Sequence, residues 1–200
     1  IPGGPTGGPF GANKLIYHDE FVAGQLGQVG TQFDGLGHIG LQRGRDGDRS
    51  EMRYYNGFSE QEIASSDGLL KLGIEHLKPI ITRGHLIDMA GLKGRMLNQG
   101  EEITVADIRA ALSRQGMSET DIKQGDAILF HTGWGRLWMK DNAKFSAGGP
   151  GPGLEVARWV IERGLCLTGG DTSSVEVVPN PDPTLAYPLH GELLTKNGIF

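Results

Sequence analysis

Gly30-Thr31-Gln32-Phe33-Asp34-Gly35-Leu36-Gly37-His38 is the stretch on which the reading of this 200-residue chain turns. With Gln28 just before it, the stretch gathers two carboxamides, a carboxylate and an imidazole, spaced by glycines and apolar residues. Gln28, Gln32, Asp34 and His38 stand at offsets of 0, 4, 6 and 10, all even. In an extended chain, residues two apart face the same way. An extended course therefore predicts all four polar side chains on one face, with Val29 and Phe33 on the other. Asp is a hard oxygen ligand and a Gln carbonyl a weaker one. Histidine serves as ligand, base or acid. Glycines leave room where a ligand or another backbone comes close.

The same segment contains a G-x-G-x-x-G match, Gly35 to Gly40. A dinucleotide fingerprint needs a hydrophobic strand before it and a helix opening on it. Here Gly27-Gln28-Val29-Gly30-Thr31-Gln32 is too polar for a buried strand, and Arg43-Gly44-Arg45-Asp46-Gly47-Asp48 reads as loop. The nucleotide reading is set aside.

The stretch resembles the signature of the cyclase family, metal-dependent hydrolases that include kynurenine formamidase and isatin hydrolase. That signature reads H-x-G-T-H-x-D-x-P-x-H. Gly30, Thr31, Asp34 and His38 match it; Gln28 and Gln32 stand in place of metal-binding histidines, and Leu36 in place of proline. Gly125-Asp126-Ala127-Ile128-Leu129-Phe130-His131-Thr132-Gly133-Trp134 and Pro188-Leu189-His190 also look like the family, so the resemblance runs from about Gly24 to the end. It implies a swivelling β/β/α fold, an oligomer, and a hydrolase or lyase acting on a small amide, cyclic amide or related carbonyl compound. It implies Gln28, Gln32 and Asp34 as metal ligands, with His38 and His190 moving protons. It also implies a Glu or Gln about twelve residues beyond His190, a count that lands just past Phe200. The 200 residues are therefore expected to be part of a longer polypeptide.

Composition sets outer bounds. The length suits one domain, expected as a Gly/Pro-rich arm over residues 1–11 and a cyclase-like domain over 12–200. Charged residues make up 22 % and the net charge is −5, with no basic run, so nucleic acid is not expected as a partner. No apolar stretch approaches a membrane span. The single Cys166, in Leu165-Cys166-Leu167, excludes an intrachain disulfide and a cysteine zinc cluster, and reads as a core thiol. A cytoplasmic setting fits. The 33 glycines follow no period, which excludes collagen and leaves many tight turns.

Local patterns predict a mixed α/β domain. Ser59 to Glu62 has capping-box form and opens a short helix; a second helical stretch is expected near Asp67–Leu77. Strands are expected at Gly84–Met89, Asp126–Phe130 and Leu165–Thr168. Helices are expected at Val105–Gln115, with Thr104 as N-cap and Gly116 as stop, at Leu154–Arg163 before Gly164, and at Leu189–Lys196. A last strand is expected from Ile199. Strands alternating with helices argue α/β.

Each candidate residue carries two readings. Asp34 is either a turn carboxylate or the centre of a site, and its phase with three polar neighbours favours the site. Gln28 and Gln32 are either hydrogen-bonding scaffold or weak oxygen ligands. Such a set suits manganese or magnesium better than zinc. His131 ends an apolar strand, where α/β folds place sites, and Trp134 offers a wall for a flat substrate. Asp171-Thr172-Ser173-Ser174 lacks a nucleophile elbow and reads as a hydrogen-bonded turn. The resulting expectation is a metal-dependent enzyme acting on a small molecule, as a dimer or larger. The alternatives are a relative with a lost or altered metal site doing metal-free acid–base chemistry or binding a small ligand, and a structural subunit.

Overall fold

A computed structural model describes residues 7–18, 24 and 30–200. They fall into two compact units, Ile1–Phe33 and Asp34–Phe200. In the first, β1 (Gly7–Phe10) and β2 (Leu15–Tyr17) form an antiparallel hairpin. The rings of Phe10 and Tyr17 stack across it at 6.0 Å.

The second unit is a mixed α/β domain. It opens with an antiparallel pair, β3 (Leu41–Gln42) and β4 (Met52–Arg53). Next comes α1 (Glu60–Ile63), whose Ser59–Glu62 capping box is present as expected. The helix expected over Asp67–Leu77 is instead a small hairpin, β5 (Ala64–Ser65) and β6 (Gly68–Leu69), followed by one 3₁₀ turn at Ile74–His76. Turn chemistry overrides helical spacing here: Ser65 Oγ accepts the Asp67 N–H and Gly68 takes a positive φ of 136°.

The centre is a parallel sheet. β7 (Gly84–Asp88) leads into α2 (Met89–Lys93), the short β8 (Glu102–Ile103) and α3 (Val105–Arg114). β9 (Ala127–His131), α4 (Asn142–Ser146), β10 (Gly151–Pro152), α5 (Leu154–Glu162) and β11 (Leu167–Gly170) follow. The sheet order is β11-β9-β7, all parallel, and β8 pairs with β10. α3 begins where predicted: Thr104 Oγ1 accepts the Asp107 N–H at 3.1 Å while Asp107 accepts the Thr104 N–H at 3.0 Å. Past its end, Gly116 takes a φ of +73°, which a residue with a Cβ adopts only at a cost. Gln115 turns back to β7, donating to the Leu86 carbonyl at 2.8 Å and accepting the Asp88 N–H at 3.1 Å.

The core follows from these patterns. Ile87, Ile128 and Phe130 of the sheet meet Ile108 and Leu112 of α3, Val156 and Val160 of α5, and Leu189 and Leu193 near the C-terminus. That last segment is α6 (Pro188–His190), which continues as a π-helical stretch over Gly191–Lys196. Beyond it, Phe200 N–H donates to the Cys166 carbonyl and Phe200 O accepts the Thr168 N–H, the exchange of a parallel strand beside β11. No helix among the described residues is long and apolar enough to cross a membrane.

Candidate active site

Asp34 heads a tight turn rather than an extended strand. His38 N–H donates to the Gly35 carbonyl at 2.9 Å, folding the chain back. The imidazole of His38 thereby comes within 3.8 Å of Asp34 Oδ1. Four extended residues would span roughly 13 Å, so the turn creates this pairing. The expected partners meet, by a different route from the one the even offsets suggested.

The other carboxylate oxygen of Asp34 faces His190, whose Nε2 lies 3.7 Å from Oδ2. The two imidazole centroids are 6.4 Å apart, and the ring of Tyr187 meets His190 edge-on at 5.7 Å. Tyr187 holds a left-handed φ of 47° immediately before Pro188 starts α6.

Behind His190 stands Glu176, only 1 % exposed. Its Oε1 accepts from His190 Nδ1 and from the His190 backbone N–H at 3.1 Å, and its Oε2 accepts the Leu189 N–H at 3.1 Å. A carboxylate only accepts, so this bond fixes the proton on Nδ1 and leaves Nε2 for Asp34. The loop that delivers Glu176 is strained. Val175 has a φ of +60°, and Glu176 N–H donates back to Ser174 O across it. A β-branched residue is a backbone outlier there, and such strain gathers at functional sites. Gly151 lies directly under this loop: a Cβ on it would sit 2.1 Å from the Val175 carbonyl oxygen.

Electrostatics follow from that enclosure. Burial alone would lower the basicity of His190. The two carboxylates, Asp34 and Glu176, outweigh it and push the imidazole up to about 9.

Glu176 was absent from the residues picked out by sequence. The available signal was a lone carboxylate in Ser174-Val175-Glu176-Val177-Val178, an apolar run that buries a charge only where partners await it. His131 and Trp134 are held elsewhere. Gln28 lies outside the described residues, and Gln32 is exposed and belongs to the first unit. His131 Nδ1 is 2.9 Å from Asp88 Oδ1, an adjacent strand end. That contact holds the Asp88 carboxyl below the usual range. Trp134, expected as a pocket wall, is 1 % exposed and donates its indole N–H to the Phe145 carbonyl at 3.4 Å. Asp171 does more than shape its own turn. Its carboxylate accepts the backbone N–H groups of Thr132 and Gly133, both at 2.8 Å, stapling the segment after β9 to the end of β11.

The fit to a divalent metal can be judged from donor chemistry. Both oxygens of Asp34 already face imidazoles. Among the described residues, no three His, Cys, Asp or Glu side chains converge as a ligand set. With Gln28 and Gln32 in place of the signature's histidines, the motif itself supplies two imidazole donors fewer than zinc is held by there. That motif, as a sequence, is a poor fit for tightly bound zinc.

The Cyclase family model matches residues 11–177. A crystal structure of a novel cyclase is 32 % identical, with a TM-score of 0.67 over 83 % of this chain and 52 % of that one. Isatin hydrolase A from Ralstonia solanacearum is 27 % identical, with a TM-score of 0.47 over 60 % of this chain and 46 % of its own. Isatin hydrolase A from Labrenzia aggregata, solved with benzyl benzoate, is 24 % identical, with a TM-score of 0.45 over 57 % and 44 %. The chain spans about half the length of these solved structures. None of the curated proteins compared with the chain matches it.

Proposed function

Because this chain belongs to the Cyclase family, we propose that it is an enzyme that hydrolyses or cleaves a small amide, cyclic amide or related carbonyl compound by paired acid–base catalysis. The observation that carries this is the line Glu176–His190–Asp34, with one buried carboxylate fixing an imidazole whose other nitrogen faces a second carboxylate.

The roles follow from the protons. Asp34 takes a proton from the attacking water as its oxygen bonds to the carbonyl carbon. His190 gives its Nε2 proton to the leaving group as the carbon–heteroatom bond breaks. The proton on Asp34 then returns to His190 across their 3.7 Å contact, restoring the starting state. Placing a proton-accepting and a proton-donating group side by side is how one site does both jobs at one pH. His38, 3.8 Å from the other oxygen of Asp34, is a second imidazole available to the site. Glu176 keeps the His190 ring in register throughout.

Activity on a panel of small amides, lactams and imides tests this. Asp34→Asn and His190→Gln are expected to lower kcat at least 100-fold, in the range of general acid–base catalysis, while the fold survives by circular dichroism. Retained turnover in either variant overturns the proposal.

A further inference from the structure

The chain leaving the motif turn is gripped on both sides. A Cβ on Gly40 would lie 2.7 Å from Tyr54 Cζ, so the backbone rests on that ring. One residue on, Leu41 meets the helix that follows His190: a Cβ on Gly191 would lie 3.1 Å from Leu41 Cδ2. One residue back, the Ile39 carbonyl accepts a hydrogen bond from Thr195 Oγ1 at 2.8 Å, between residues 156 positions apart. Thr195 is 8 % exposed. A threonine inside a helix commonly satisfies its hydroxyl on a carbonyl one turn back. This hydroxyl crosses instead to the residue next to His38, and the acid–base roles leave the bond unused.

The π-helical stretch explains the reach. It runs from Gly191 to Lys196, directly after His190. In an α-helix, at about 3.6 residues per turn, Thr195 would lie about 140° round the axis from His190. Bonding from i to i+5 widens the turn and brings the fifth residue back towards the face of the first. His190 and Thr195 therefore share the side turned to the motif, one facing Asp34 at 3.7 Å and the other bonded to Ile39. Glu192 and Lys196 pair with each other on the exposed side.

We infer that Thr195 is a positioning residue: its bond to the Ile39 carbonyl ties the turn carrying Asp34 and His38 to the helix carrying His190, and so sets the separation of the acid–base groups. Its effect on turnover rests on the acid–base reading of Asp34 and His190. The lever is short. Ile39 adjoins His38, whose N–H closes the turn on the Gly35 carbonyl at 2.9 Å, beside Asp34. A shift at Ile39 is passed through that turn, and a misplacement of about 1 Å can cost about 100-fold in rate.

Three variants of the whole protein test this. Thr195→Val removes the hydroxyl and keeps the branched shape. Thr195→Ala removes it without setting a methyl against the carbonyl, and serves if the valine variant does not fold. Thr195→Ser keeps the hydroxyl. The first readout needs no substrate: the proton NOE cross-peak between the rings of His38 and His190, whose centroids are 6.4 Å apart. The second is hydrolysis of para-nitroacetanilide. Losing the hydroxyl should weaken the cross-peak and lower kcat by roughly 10- to 100-fold with KM nearly unchanged, while Thr195→Ser should preserve both. An unchanged cross-peak in the hydroxyl-free variants overturns the inference. So does its loss in Thr195→Ser, because shape and not the hydroxyl would then hold the turn. A lower melting temperature with cross-peak and kcat both unchanged also overturns it, since the bond would then be structural only. A weakened cross-peak with unchanged kcat would sink the acid–base reading and leave the tether standing.

Discussion

Replacing Glu176 by Gln is the sharpest perturbation the structure offers. Three donors converge on this carboxylate: the backbone N–H groups of Leu189 and His190, each at 3.1 Å, and Nδ1 of His190. Glutamine keeps the shape but supplies one acceptor oxygen and one donor nitrogen. With the oxygen retained for His190, the new amide faces the Leu189 N–H, donor against donor. A buried donor left unmet costs about 1–3 kcal/mol, and a hydrogen bond to a charged group is worth about 1.5–3 kcal/mol. The expected loss is about 3–5 kcal/mol, the range for breaking a buried ion pair by removing one partner. The pH dependence adds a second readout. His190 moves from 6.5 to about 9 on folding, so its contribution is fully present below 6.5 and is lost as the pH rises through about 9. At 1.36 kcal/mol per pH unit, that interval corresponds to on the order of 3 kcal/mol of pH-dependent stability. Urea denaturation at pH 6, 7.5 and 9.5 measures both effects. The variant should lose most at pH 6 and show a shallower decline towards pH 9.5. A loss below about 1 kcal/mol at pH 6 with an unchanged pH slope would show that Glu176 does not hold the imidazole.

Other changes probe separate parts of the argument. Gly151→Ala drives a Cβ into the Val175 carbonyl and should cost about 1–3 kcal/mol by overpacking. Because the Glu176 loop must move, kcat should fall more than the melting temperature suggests, and unchanged kinetics would count against that loop's role. Thr104→Ala removes one half of the α3 capping box and should lower stability by about 1 kcal/mol with activity unaffected. Asp126 accepts the Lys123 N–H at 2.8 Å and contacts His85 at 2.7 Å, which hold its carboxyl below the usual range. Its stabilisation is present above the ordinary carboxylate pKa and lost as the pH falls through the lowered one. Asp126→Asn should therefore flatten the acid limb of a denaturation profile, and an unaltered limb would refute this. Calorimetry with zinc should detect no stoichiometric binding, whereas Gln28→His with Gln32→His should gain zinc affinity; stoichiometric zinc in the unmodified protein would contradict the donor-set argument.

The regular elements were legible because their signals are local. Thr104 with Asp107, Ser59 with Glu62, and Gly116 act within a turn of their own backbone, and each does what its spacing implied. The three central strands announced themselves as apolar runs. The stretch from Asp67 to Leu77 misled because its apolar residues have helical spacing while Gly68 and the serine before it close a hairpin first. Asp34, His38 and His190 were picked out through the stretches that resemble the family, and the fold brings them together. Their geometry was not, since a period-two argument presumes an extended chain and the glycines permit a turn. Glu176 escaped because its importance lies in partners 13 and 14 residues away that only folding assembles.

Gln115 has a consequence for how the protein behaves in crowded solution. Its carboxamide meets the Leu86 carbonyl and the Asp88 N–H as a peptide group of a neighbouring strand would. The β7 margin of the sheet is therefore closed by a side chain. At the other margin, Phe200 already exchanges both backbone groups with β11. An open strand margin is a template on which a foreign chain can zip up and seed aggregates. A single amide group, placed by the end of α3, occupies part of that template on the β7 side, so Gln115→Ala is expected to increase self-association, read by light scattering.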